Sequence, residues 1–160
     1  MKILPTLEGG LCILPESEVD WDELQLICSD DERPTYLAES LADLMDDDSE
    51  WGEYVVPDLE EAFRNQTQFV HAAIKQARQS DDPAIFIRPV EAEQWYGALN
   101  QVRLSLQASY DVEELEDLEE LNEASDLNDW DLELKGAYFR NRFYLLLQSM
   151  LLEFIMNKAE

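Results

Sequence analysis

The sequence predicts an α+β fold, mainly α, in which a helical bundle carries a small N-terminal β-hairpin. Three observations predict it. Apolar residues recur at three- and four-residue intervals through most of the chain. A Gly-Gly pair separates two short apolar runs at the start. Of the 160 residues 46% are hydrophobic, with four Trp, six Tyr and six Phe, which is enough to fill a core despite a net charge of −26. A single domain spanning 1–160 is expected, burying roughly two-thirds of the surface that the unfolded chain exposes.

Each element has a local reason. KILPTL and LCIL flank Glu8-Gly9-Gly10. Adjacent glycines suit the positive φ angles of tight turns, so a β-hairpin is read over 2–14. Pro5 places its strand at an edge or at a bulge, because proline cannot donate to a ladder. In SEVDWDELQLICSD, Asp20 is read as a helix cap answered by Glu23, with Trp21, Leu24, Ile27 and Cys28 on one face. After Pro34-Thr35, the residues Leu37, Leu41, Leu44 and Met45 have helical spacing, which ends in the like-charged run Asp46-Asp47-Asp48. Pro57-Asp58 opens a helix over 58–78 with Leu59, Phe63, Val70, Ile74 and Ala77 as its stripe. Ala84 to Arg88 is a short β-like run near 84–88 that can join the hairpin as a third strand, which a lone hairpin needs for stability in water.

A helix over 90–108 follows, with Trp95, Leu99, Val102 and Leu106 on one side. Residues 111–134 form an acidic connector edged by Leu115, Leu118 and Leu121. The apolar C-terminal helix, 136–157, presents Phe139, Phe143, Leu146, Leu147, Met150 and Phe154 on one broad face and spreads Tyr138, Leu145, Leu151 and Leu152 to its other sides. That is more apolar surface than a helix packed on one side needs. Phe139, Phe143, Leu147, Met150, Leu151 and Phe154 are therefore the candidate homodimer interface.

Charge is unevenly spread. Residues 1–63 carry nineteen acids against two bases, 64–110 four against five, and 111–160 fourteen against four. Like charges repel within a screening length of about 8 Å at physiological salt. The nearly neutral middle is therefore expected inside and the acidic flanks in water. A basic face for nucleic-acid phosphates is missing, so direct nucleic-acid binding is not expected. MKILPTLEGG lacks the long apolar run of a signal peptide. Tyr138 to Met156 is interrupted by Arg140, Arg142 and Glu153, which argues against a membrane span. A cytoplasmic protein is expected, with Cys12 and Cys28 as buried free thiols, although a pairing between them stays open.

Motifs for catalysis or metal binding are sparse. With Gly52 at the obligatory glycine of a calcium loop, Trp51 and Asp58 fall where oxygen ligands and a bidentate Glu belong. His71, the single histidine, has no acid three or four residues away, so no metal site is expected. No G-x-S-x-G, P-loop or dinucleotide fingerprint occurs, no cofactor is implied, and an enzyme would have to hide its site among unlabelled acids. A Cys–His pair could only join Cys12 or Cys28 to His71.

The middle block holds the candidate binding residues Arg88, Trp95, Asn100 and Arg103. Asn100 and Arg103 are three apart on a helix and so neighbours on its surface. An arginine there can clamp the helix to an acidic flank, or it can receive an anionic ligand or a partner's carboxylate. The pattern W-Y-x-x-L-N-x-x-R-L-x-L from Trp95 to Leu106 follows Pro89-Val90-Glu91-Ala92-Glu93 and precedes Tyr110-Asp111-Val112-Glu113-Glu114. It resembles an uncharacterised bacterial domain-of-unknown-function family whose genes often neighbour the adaptor of the Clp protease. The resemblance is sharpest over 88–114 and loose over 35–155. It implies Asn100, Arg103 and Leu104 as marker residues and, through gene neighbourhood, a role near protein turnover, but no activity. The expected function is therefore non-enzymatic, through binding to a protein partner, candidates being a basic protein and a second copy of the chain. Two rivals stand beside it: an acidic nucleic-acid mimic that binds a basic protein, and a small-anion-binding protein or enzyme using Arg88, Asn100 and Arg103.

Overall fold

The computed structural model describes residues 1–30, 32–43, 55–109 and 132–159. Leu44, Met45, the DDDSEWGE acid cluster, and the acidic connector up to residue 131 lie outside the described residues. Three strands, β1 (Lys2–Pro5), β2 (Leu11–Leu14) and β3 (Ile85–Ile87), form one antiparallel sheet in the order β1-β2-β3. Pro5 sits on the edge strand β1 opposite Leu11, where its missing N–H costs no ladder bond. The hairpin closes with Thr6 N–H donating to the Gly10 carbonyl at 2.9 Å and Gly10 N–H donating to Thr6 Oγ1 at 2.9 Å. Gly9 takes φ +86°, which a side chain would resist.

The 84–88 run joins the hairpin as expected, pairing Leu11 with Ile87 and Ile13 with Ile85. Those four side chains point inward and are essentially fully buried. The alternate residues of the sheet, Leu4, Cys12 and Phe86, line its outer face.

Five α-helices complete the described residues: α1 (Glu18–Gln25), α2 (Arg33–Asp43), α3 (Val56–Arg78), α4 (Ala92–Ser109) and α5 (Leu132–Phe154). One reading of α1 needs correction, because its cap is Ser17 and not Asp20. The Ser17 hydroxyl accepts from Asp20 N–H at 3.3 Å, and the Asp20 carboxylate reaches back to Glu16 N–H at 2.8 Å. The box is therefore set three residues early, and the Glu16 N–H bond holds Asp20 below the usual carboxylate range. The start of α5 also moves, from the expected 136 to Leu132. Gly136 lies inside the helix, at a cost of about 1 kcal/mol relative to alanine that packing offsets.

α4 packs against α2, α3 and α5. Its Trp95, Leu99 and Val102 are buried with Val70 and Ile74 of α3, Tyr144, Leu147 and Leu151 of α5, and the inward sheet residues. The neutral middle of the chain thus supplies the enclosed centre. Polar groups stitch the layers together. Arg78, at the end of α3, donates to Gln25 at 2.7 Å and pairs with Asp22 at 3.2 Å, which fastens α3 to α1. Thr35 of α2 donates to Glu60 of α3 at 2.9 Å, and the Tyr36 and Ser105 hydroxyls share a bond at 2.7 Å between α2 and α4. The buried Gln101 amide donates to the Phe63 carbonyl at 3.0 Å and to Gln66 Oε1 at 2.9 Å.

Candidate functional site

The four candidate binding residues of the middle block sit in different surroundings. Trp95 has 0% exposure and belongs to the core. Asn100 is exposed on α4. Arg88 precedes α4, its side chain 72% exposed, and forks onto its own neighbour Glu91 through Nε at 2.9 Å and Nη2 at 2.7 Å. Arg103 donates through Nη1 to Gln148 Oε1 at 2.6 Å, while the Gln148 amide nitrogen donates to the Tyr96 carbonyl at 3.4 Å. Among the described residues this clamp ties α4 to α5 and lands on an amide, not on an acid. Gln148 is only 3% exposed, so a charged partner buried there would have demanded more desolvation.

Of the two conceivable Cys–His pairs, Cys28 and His71 come together at one recess, and Cys12 is not among its lining residues. Cys28 and His71 line a recess of about 110 Å³ with Asp30, Pro34, Arg64, Thr67 and Gln68. The thiol is in the wrong state for a nucleophile. Burial pushes Cys28 up to about 12, outweighing the pull of Arg33 and a backbone hydrogen bond at His71. A reactive cysteine needs the opposite, a thiolate favoured near neutral pH. The same burial makes an alkaline prediction. Unfolded, Cys28 releases its proton near 9.0 and Tyr144 near 10.0; folded, both hold on to about 12. Across that window the native state binds more protons, so stability is expected to fall as pH rises from about 9 to 12. Urea midpoints taken through the window check this, and Cys28→Ala should flatten its lower part.

The candidate interface on α5 divides in two. Leu147 and Leu151 are 0% exposed and are used within this chain's own core. Phe143, Met150 and Phe154 are half-buried against that core, whereas Phe139 is 56% and Leu146 53% exposed. Phe139, Phe143, Leu146 and Met150 follow one another at intervals of four, three and four residues. That spacing keeps them on one stripe of the helix. Beneath its start, Arg142 donates to the Tyr138 hydroxyl at 3.0 Å and lies 5.7 Å from that ring's centroid. α5 carries Lys135, Arg140 and Arg142 against Glu133 and Glu153.

Sequence reading passed over three residues. Arg33 is 4% exposed and Tyr144 is 1% exposed, and both share a cavity with Arg140. Arg33 sits beside Pro34 in an acidic stretch and looks like a solvated flank. The turn after α1, α4 and α5 together enclose it. Among the described residues no group of three or more His, Cys, Asp or Glu side chains is placed to hold a metal ion. No described helix is long and apolar enough to cross a membrane.

A family model described as a domain of unknown function (DUF2017) matches residues 13–154. No curated protein and no solved structure matches the chain.

Proposed function

The chain belongs to the DUF2017 family, whose function is unknown, and from that premise we propose a non-enzymatic cytoplasmic protein that acts by binding proteins, first of all a second copy of itself through α5. One observation carries this reading: the stripe Phe139, Phe143, Leu146 and Met150 leaves two large apolar side chains more than half exposed, at 56% and 53%. Apolar surface so arranged gains free energy only when a partner covers it. Its charge selects the partner. The chain as a whole carries −26, so most of its surface repels another copy. α5, with three bases and two acids, is the place where two copies meet without that penalty. A two-fold axis would set each stripe against its equivalent, as in most homodimers.

Light scattering over a concentration series tests this. The expected result is a dimer that Leu146→Glu converts to a monomer with an unchanged circular-dichroism spectrum. A wild-type chain that stays monomeric at the highest concentrations reached rules the reading out.

The acidic flanks support a basic protein as the other partner class, in keeping with a regulatory or adaptor role near protein turnover. Attraction of that kind weakens as salt rises. A partner retained as well at high salt as at low salt would contradict it.

A further inference from the structure

Acids outnumber bases in this chain by 37 to 11, yet none of the ion pairs among the described residues involves Arg33, Arg103, Arg140 or Arg142. Arg103 has Gln148 and Arg142 has Tyr138. Arg33 and Arg140 instead line one cavity of about 160 Å³ where α2, α4, α5 and the turn after α1 converge, together with Ser29, Ser105 and Tyr144. Arg33 Nη1 donates to the Ile27 carbonyl at 2.6 Å. Its Nε is buried without a hydrogen-bond partner, and so are Arg140 Nε and the Tyr144 hydroxyl.

Three unpartnered polar groups around one cavity call for an explanation. A guanidinium cannot shed its proton. Burying its Nε without an acceptor is costly, and two like charges lining the same small space add repulsion. Asp30 lines the other recess, with Cys28 and His71, and accepts there from Glu32 N–H at 3.0 Å and the Tyr36 hydroxyl at 3.3 Å. Tyr144 is a donor at any physiological pH, because burial, helped by the negative charge of Glu23, pushes its hydroxyl up to about 12 against the pull of Arg140 and Arg33. Every orphaned group can donate, and the lining supplies two positive charges, with Glu23 as a negative charge acting from outside it.

We propose that this cavity binds a small free oxyanion, a phosphate or a short carboxylic acid, gripped by Arg33, Arg140 and the Tyr144 hydroxyl. Guanidinium forks match the oxygens of either ion. The volume of about 160 Å³ lies below the roughly 300–1,000 Å³ of pockets for drug-sized ligands, which restricts the site to the anion itself or a very short chain attached to it. Arg33 comes from α2, and Arg140 and Tyr144 come from α5. A bound anion therefore bridges the two helices and replaces a repulsion with two charge-assisted contacts.

The experiment measures thermal unfolding and titration calorimetry of the full chain with inorganic phosphate or succinate, against sodium chloride at matched ionic strength. At least one of the two should raise the midpoint beyond chloride, through preferential binding to the native state. A response to phosphate alone assigns a phosphate ligand, and a response to succinate alone assigns a carboxylate. Arg140→Gln should weaken binding about tenfold or more, as expected for one charge-assisted hydrogen bond, while leaving the anion-free protein as stable as before or more so. Tyr144→Phe, which removes only an unpartnered hydroxyl, should weaken binding several-fold with the fold intact. Arg33 supports the fold through Ile27, so the two α5 variants carry the test. If neither anion exceeds chloride, or if both variants bind like wild type, the proposal is overturned.

Discussion

Trp95→Ala is expected to lower the unfolding free energy by about 3–5 kcal/mol, the range for removing a large aromatic side chain from a core. Trp95 has 0% exposure and lies in a cluster that draws on α1, α3, α5 and all of the inward-facing positions of β2 and β3. The loss combines the apolar area returned to water with a cavity that α3 and α5 cannot both close, because each is also held by other contacts to α4. Domains of this size are stable by only about 5–15 kcal/mol, so the variant should lose a fifth or more of its stability. Urea denaturation followed by near-ultraviolet circular dichroism reads this directly. Trp95→Phe, which keeps most of the volume, should recover a good part of the loss. A change below about 0.5 kcal/mol, the scale of an ordinary surface substitution, would mean that α4 is not the central element.

The second large effect is expected at Gly10. A Cβ on this residue would lie 2.2 Å from the carbonyl oxygen of Ile87 in β3. The obstacle is backbone, not the end of a flexible side chain, so Gly10→Ala must push β3 away from β2 or distort the hairpin. The cost should reach about 3 kcal/mol, the upper end of overpacking. Gly9 is the internal control. Its constraint is the φ of +86° with no close neighbour, since a Cβ there comes no nearer than 3.9 Å to Pro89. Gly9→Asn should therefore be nearly neutral, because asparagine tolerates the left-handed region, whereas Gly10→Asn should be as harmful as alanine. Hydrogen-exchange protection at Leu11 and Ile13 separates the two outcomes. If Gly9→Asn and Gly10→Asn behave alike, the close approach of Gly10 to β3 is wrong.

The division of α5 also decides which experiments on function can be read. Removing the helix would be uninformative, because Leu147, Leu151 and Tyr144 are part of the core, and the truncated chain would fail to fold for reasons unrelated to a partner. Substitution at Leu146, exposed at 53%, changes the outer stripe and leaves the inner face alone. The Arg103 clamp carries the same lesson. With Gln148 Oε1 as its partner at 2.6 Å, loss of the guanidinium leaves a buried amide oxygen unsatisfied, so a stability change there says nothing about a ligand.

The sequence by itself determined the elements and the inside of this protein. Periodicity of 3.6 placed α3 and α4 to within two residues, Gly9-Gly10 placed the hairpin, Pro5 placed an edge, and the near-neutral charge of the middle block marked Trp95, Leu99 and Val102 as interior. Such features are local: a helix stripe, a turn dihedral and a missing N–H are all written within a few residues of one another. Tertiary structure alone decided the rest. It turned Leu147 and Leu151 inward while leaving Phe139 and Leu146 out, a choice that depends on which face of α5 meets α4. It also enclosed Arg33 with Arg140 and Tyr144, residues more than a hundred positions apart. Burial of a charge is a property of everything packed around it, and no spacing along the chain records that.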